Sequence, residues 1–93
     1  MKTKKVLEFS ASWCQPCKVF AKTFEEISKM DEFSDIEFES HDIEESEEIE
    51  NMVANFGVRS VPTTILLDDE GNVLKRLSGN IPALTLADEI KNA

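Results

Sequence analysis

The stretch Ser10-Ala-Ser-Trp-Cys-Gln-Pro-Cys-Lys-Val-Phe20 holds both cysteines of the chain, Cys14 and Cys17, with Pro16 between them and the only tryptophan, Trp13, beside them. Just before it, Lys5 to Ser10 reads as a short, mostly buried strand: Val6, Leu7 and Phe9 are apolar, and Glu8 interrupts them. Just after it the period changes. Phe20, Phe24 and Ile27 recur at i, i+4 and i+7, which predicts a helix from about Gln15 to Met30. The cysteines therefore stand where strand gives way to helix. A thiol there meets unpaired backbone N–H groups and the positive end of the helix dipole, both of which favour thiolate. Cys17 falls within the first turn, in disulfide reach of Cys14. Pro16 suits that turn, which has no use for the missing N–H.

Further along, the patterning continues to alternate between strand and helix. "DIEFESHD" sets Ile36, Phe38 and Ser40 against Glu37, Glu39 and His41, a period of two that suggests a strand near an edge. "ESEEIENMVANFG" is the clearest helix. Ser46 is its candidate N-cap, Ile49, Met52, Val53 and Phe56 form one face, and Gly57 closes it in the left-handed region. Thr63–Leu67 and Asn72–Leu77 read as two strands flanking "DDEG", where Gly71 supplies the positive φ of a hairpin. Pro82 opens a last helix to about Asn92, with Ala83, Leu86, Ala87 and Ile90 inward. The order β-α-β-α-β-β-α makes this an α/β chain. The first two strands are joined by a helical crossover and should be parallel, and the last two antiparallel. Helices should cover both faces of a four-stranded mixed sheet.

Ninety-three residues are expected to form one domain, 1–93, because a second core would not fit. The 41% hydrophobic and 31% charged content is that of a globular chain. No apolar run approaches the roughly 18 residues of a membrane span. The basic start lacks an apolar core region, so no secretory leader is expected. Nineteen acidic residues against ten basic give a net charge of -9. That opposes nucleic acid and anionic membrane surfaces as partners, and it favours solubility. Two cysteines without a leader point to the reducing cytoplasm, where a Cys pair is more often catalytic or metal-binding than structural.

Three readings of Cys14 and Cys17 compete. Structural zinc needs four ligands, and His41 is the only other soft candidate, so no metal is expected. A structural disulfide across so short a gap removes almost no chain entropy. A redox dithiol is the favoured reading, a CxxC pair beside a βαβ pattern being a recognised redox signature.

With these residues in view, "WCQPCK" resembles the active-site segment of the thioredoxin family, commonly WCGPCK, with Gln15 in place of glycine. "SVPT", Ser60 to Thr63, resembles the family's cis-proline loop, and Gly57, Gly71 and Gly79 stand where thioredoxins carry glycines. The resemblance runs from about Lys5 to the C-terminus. It implies a minimal thioredoxin fold with strand order 2-1-3-4, since the family's usual first strand and helix have no counterpart before Cys14. It also implies a thiol–disulfide oxidoreductase, an enzyme reducing protein disulfides through a mixed disulfide. No bound cofactor is implied beyond the redox-active Cys14–Cys17 disulfide.

Roles follow from the resemblance. Cys14 is the exposed nucleophile and Cys17 the more buried resolving cysteine. Trp13, Gln15, Pro16, Val61, Pro62 and Gly79 are the substrate-binding set, with the Val61–Pro62 bond cis and Val61 offering backbone groups to an extended substrate. Glu8 stands where the family usually has the aspartate that takes the resolving thiol's proton, and burial would raise its pKa. Partners implied are disulfide-containing proteins and thioredoxin reductase or a similar reductase, with the chain a monomer.

Three neighbours depart from the family: Ser10 replaces an aromatic, Lys22 a helix-kinking proline, and Ser40 a lysine near the buried acid. Two alternatives remain. One is a glutaredoxin-like, glutathione-dependent reductase, favoured by size and opposed by the absence of CPYC. The other is a binding subunit on the same fold with a secondary redox role.

Overall fold

A computed structural model describes residues 2–93. Its elements are β1 (Lys5–Ser10), α1 (Gln15–Ser28), a short 3-10 turn (Asp31–Phe33), β2 (Glu37–Asp42), α2 (Glu47–Phe56), β3 (Thr63–Leu67), β4 (Val73–Ser78) and α3 (Ala83–Asn92). The four strands form one sheet in the order β2-β1-β3-β4. β1 and β2 are parallel, while β1–β3 and β3–β4 are antiparallel. The expected element order, strand order and directions are all present.

Alternation along β1 sends its side chains to two cores. Val6 packs with Phe20, Phe24 and Ile27 of α1 and with Leu86, Ala87 and Ile90 of α3. Leu7 and Phe9 pack on the other face with Ile49 of α2 and with Ile65 and Leu67 of β3. So α1 and α3 cover one face and α2 the other. The two central strands carry the apolar content this requires: all five residues of β3 are buried. The outer strand β2 is only half-buried or exposed, as its alternation predicts. Phe38 still reaches inward and meets Phe24 edge-on, with ring centroids 5.6 Å apart.

Caps follow the sequence. Ser46 Oγ accepts from the Ile49 N–H at 3.1 Å, and Gly57 ends α2 at φ 66. Helix α1 stops at Ser28, two residues short of the expected end. The Lys29 N–H bonds to the Glu26 carbonyl and the Met30 N–H to the Ile27 carbonyl, and Met30 turns extended at φ -72, ψ 135. Lys22 lies inside an unbroken α1, in keeping with the absence of a kinking proline. The β3–β4 turn is held by Asp68, whose carboxylate accepts from the N–H groups of Glu70 and Asn72, both at 2.9 Å.

Candidate active site at the strand–helix junction

Cys14 is the N-cap of α1, as its place between strand and helix requires. Its Sγ accepts from the Cys17 N–H at 3.2 Å, so the sulfur takes up one of the helix's unpaired donors. In the reduced protein this hydrogen bond and the helix dipole act on the same atom, and both favour the thiolate. Pro16 lies in the first turn, where its missing N–H is not needed. Cys14 and Cys17 are joined as a disulfide, with Cα atoms 5.3 Å apart.

The expected contrast in burial is small. Cys14 is 6% exposed and Cys17 4%, both packed with Ala11, Ile43 and Val61. Access distinguishes them instead. A groove of about 530 Å³ opens beside the dithiol, and Cys14 lines it while Cys17 does not. Trp13, Gln15 and Pro16 also line it, and Trp13 is 65% exposed, a free apolar surface beside the sulfur. From the far end of the sequence Ser60 and Val61 complete the lining. The Val61–Pro62 peptide is cis, and the Val61 carbonyl oxygen lies 3.7 Å from Cys14 Sγ. Pro62 is fully buried behind it.

Gly79 is placed differently from the other candidates. It is not among the groove-lining residues. Its N–H donates to the Pro62 carbonyl at 2.8 Å, and its φ of 86 is one that other residues rarely adopt. Gly79 holds the proline loop and does not form the groove wall.

Four lining residues escaped the sequence reading. Ile43 follows β2, Val53 belongs to α2, and Val58 and Arg59 follow α2. The three apolar ones look like ordinary core residues in sequence. Arg59 is the one charged residue among those that line the groove, and nothing in its neighbours marks it.

Glu8 is 1% exposed in the middle of β1. It alternates with Leu7 and Phe9, so it shares the α1 side of the sheet with Val6; Cys17 is on the buried face of that helix. Burial pushes its carboxyl pKa up, while a hydrogen bond donated by Ser40 Oγ to Oε1, at 2.5 Å, holds it down in part. Ser40 thus favours the carboxylate without adding a charge. The other oxygen, Oε2, is buried with no hydrogen-bond partner. His41 is a strand residue bound to Glu39 at 3.0 Å and Glu45 at 3.4 Å, away from the lining of the groove.

The thioredoxin family model matches residues 1–92. The chain belongs to the thioredoxin family. A thioredoxin of Aspergillus fumigatus is 34% identical over 82 residues, 88% of this chain and 72% of that protein. A thioredoxin of Mycoplasmoides gallisepticum is 33% identical over 88 residues, 95% of this chain and 82% of that one. Among solved structures, Fasciola hepatica thioredoxin superposes with a TM-score of 0.78 at 31% identity, over 96% of this chain and 80% of that one. Mitochondrial thioredoxin 3 of Saccharomyces cerevisiae, in its oxidized form, gives 0.82 at 26% identity, over 100% and 81%. With this family membership and a paired Cys14–Cys17, the chain is a thiol–disulfide oxidoreductase, a protein-disulfide reductase of thioredoxin type. Its redox group is the disulfide itself. Among the described residues no cluster of three His, Cys, Asp or Glu is placed to hold a metal ion. Among them, too, no helix is long and apolar enough to cross a membrane.

Proposed function

We propose that Cys14 attacks and Cys17 resolves. The observation that supports this assignment is that Cys14 lines the groove and Cys17 does not, although both are buried. The Cys14 thiolate attacks one sulfur of a substrate disulfide, and that S–S bond breaks as the mixed disulfide forms. The departing substrate thiolate takes a proton from water. Cys17 then gives its proton to the Glu8 carboxylate and attacks Cys14 Sγ, releasing the second substrate thiolate and closing the Cys14–Cys17 disulfide.

Substrate lies in the groove as an extended segment. Trp13, Gln15 and Pro16 flank the sulfur, and Val61 offers its backbone from the loop that Pro62 and Gly79 hold. The chain works as a monomer in the cytoplasm on disulfide-containing proteins, and thioredoxin reductase recycles it. Support for that compartment is the use of only two cysteines, both in the redox pair.

The test is insulin reduction under two recycling systems, NADPH with thioredoxin reductase and NADPH with glutathione and glutathione reductase. Turnover with the first, abolished by Cys14→Ser, is expected. Turnover only with the second makes the protein a glutaredoxin in function. Failure with both, and with dithiothreitol, leaves the binding-subunit reading.

A further inference from the structure

Glu8 has two carboxyl oxygens in very different positions. Oε2 is buried and unpartnered. Oε1 is held by Ser40, and Ser40 is an exposed residue of β2, an outer strand of the sheet. The parallel pairing places Ser40 directly opposite Glu8. On the other side, β3 sets Thr64 opposite it, and Thr64 is only 1% exposed. The helices over this face contribute Phe20, Phe24 and Ile27, then Leu86, Ala87 and Ile90, all apolar, with Cys17 in the first turn of α1; the Lys75–Glu89 ion pair joins α3 to β4, two strands away from β1. No Lys or Arg acts on Glu8; its ionisation is governed by burial and then by Ser40. Among the described residues, the Ser40 hydroxyl is therefore the one hydrogen-bonded link from this acid to water.

An acid that takes a proton in every turnover must also lose it in every turnover. We propose that the Ser40 hydroxyl is the proton port of Glu8: it holds Oε1 while Glu8 is a carboxylate, leaving Oε2 free to face the thiol chemistry, and it carries the carboxyl proton to solvent. This rests on Glu8 being the proton acceptor of Cys17. After Cys17 has given its proton to Oε2, the carboxyl turns about its Cγ–Cδ bond so that the protonated oxygen meets Ser40 Oγ and donates to it. Ser40 passes its own hydroxyl proton to water, and Glu8 returns to the carboxylate. No electrons move in this step; the redox change is confined to the sulfurs. Ser40 is a positioning residue, since it acts on the dithiol only through Glu8.

The experiment follows the two phases of reaction between the reduced protein and 5,5′-dithiobis(2-nitrobenzoate). The first thionitrobenzoate is released when Cys14 attacks and the second when Cys17 resolves. Below the pH midpoint of the second phase Glu8 starts protonated and must empty through Ser40 before Cys17 can give up its proton, so there Ser40→Ala should slow that phase about tenfold, part of the factor a general acid–base group contributes. Its pH midpoint should move up, because a hydrogen bond that favours the carboxylate is gone. The first phase should be unchanged. Ser40→Thr, which keeps the hydroxyl on an exposed strand, should restore the wild-type rate. In a Glu8→Gln background, Ser40→Ala should add nothing. If Glu8→Gln slows resolution but Ser40→Ala does not, the port is refuted and Glu8 keeps its role. The port also fails if Ser40→Ala slows both backgrounds equally, or if Thr fails to rescue. A Glu8→Gln protein with normal resolution refutes the acceptor role itself.

Discussion

Replacing Glu8 by leucine should make the protein more stable while making it a poorer enzyme. Glu8 occupies the apolar side of a central strand, next to Val6 and under α1. Its Oε2 is buried with no partner. An unsatisfied buried acceptor costs about 1–3 kcal/mol. Leucine removes that cost and adds a side chain of similar size to the cluster around Phe20 and Leu66. Ser40, the group left behind, is exposed and can turn to water at little cost. The expected gain is about 2 kcal/mol at pH 8. For a domain of this size that corresponds to a rise of about 8–16 °C in Tm.

The gain should depend on pH with a definite sign. Burial raises the Glu8 pKa above its ordinary 4.5, so above that pH the native state keeps a proton that the unfolded chain releases. Wild-type stability from this site is therefore complete below pH 4.5 and is lost as pH rises through the folded value. Leucine has no such dependence. Thermal melts of the oxidised proteins followed by far-ultraviolet circular dichroism, at pH 4 and pH 8, should show the difference in Tm widening with pH. Disulfide resolution in the same variant should slow by about a hundredfold, the lower end for loss of a general base. A leucine variant less stable than wild type at pH 8, or a gap that does not widen, would refute the reasoning.

Other expectations are simpler. Ser46→Ala removes the oxygen that accepts from the Ile49 N–H and should cost about 1 kcal/mol of stability, read from the chemical-denaturation midpoint. For His41, burial lowers the pKa, but the hydrogen bonds to Glu39 and Glu45 outweigh it, so the net shift is upward from 6.5. The stability this pair adds is present below pH 6.5 and lost as pH rises through the folded value. An NMR titration of the ring should give a midpoint above 6.5, and His41→Gln should flatten that part of the Tm profile by no more than about 1 kcal/mol. Arg59→Glu puts an acid into the groove of an already acidic chain. It should raise KM about tenfold for substrates carrying acids beside the disulfide, with little change in kcat, as measured on synthetic disulfide peptides.

Legibility in the sequence tracked how local the cause was. The strand–helix change around Cys14, the Ser46 cap and the Gly57 stop are properties of adjacent residues, and each stands where the patterning put it. The end of α1 was not local. Its apolar face reads on toward Met30, yet the chain turns at Lys29 to set up the 3-10 turn that buries Phe33. Glu8 was legible because an acid inside an apolar strand violates the pattern around it. Its partner was not, since the Glu8–Ser40 hydrogen bond depends on the β1–β2 register. The groove was half legible. Trp13, Gln15 and Pro16 surround the cysteines in sequence, but Val53 bears the same helical spacing as the buried Ile49 and the half-buried Phe56. Only the folded backbone shows that it also borders a cavity.

The way the cores divide explains how the dithiol can cycle without threatening the fold. The large clusters lie on either side of the sheet, one under α1 and α3 and one under α2, and neither includes a cysteine. Cys14 and Cys17 belong to a separate small cluster with Ala11. Their disulfide spans a sequence separation of 3, so it closes almost no loop and restricts the unfolded chain very little. Opening it removes little stability, and remaking it requires no long-range rearrangement, because the helix that sets the spacing of the two sulfurs is anchored by Phe20, Phe24 and Ile27. In the proposed mechanism the group that joins reactivity to the cores is Glu8, which occupies a central strand beside Val6. If Glu8 takes the Cys17 proton as proposed, its burial is a cost the fold carries for that chemistry, and it is the position where stability and turnover should be found in opposition.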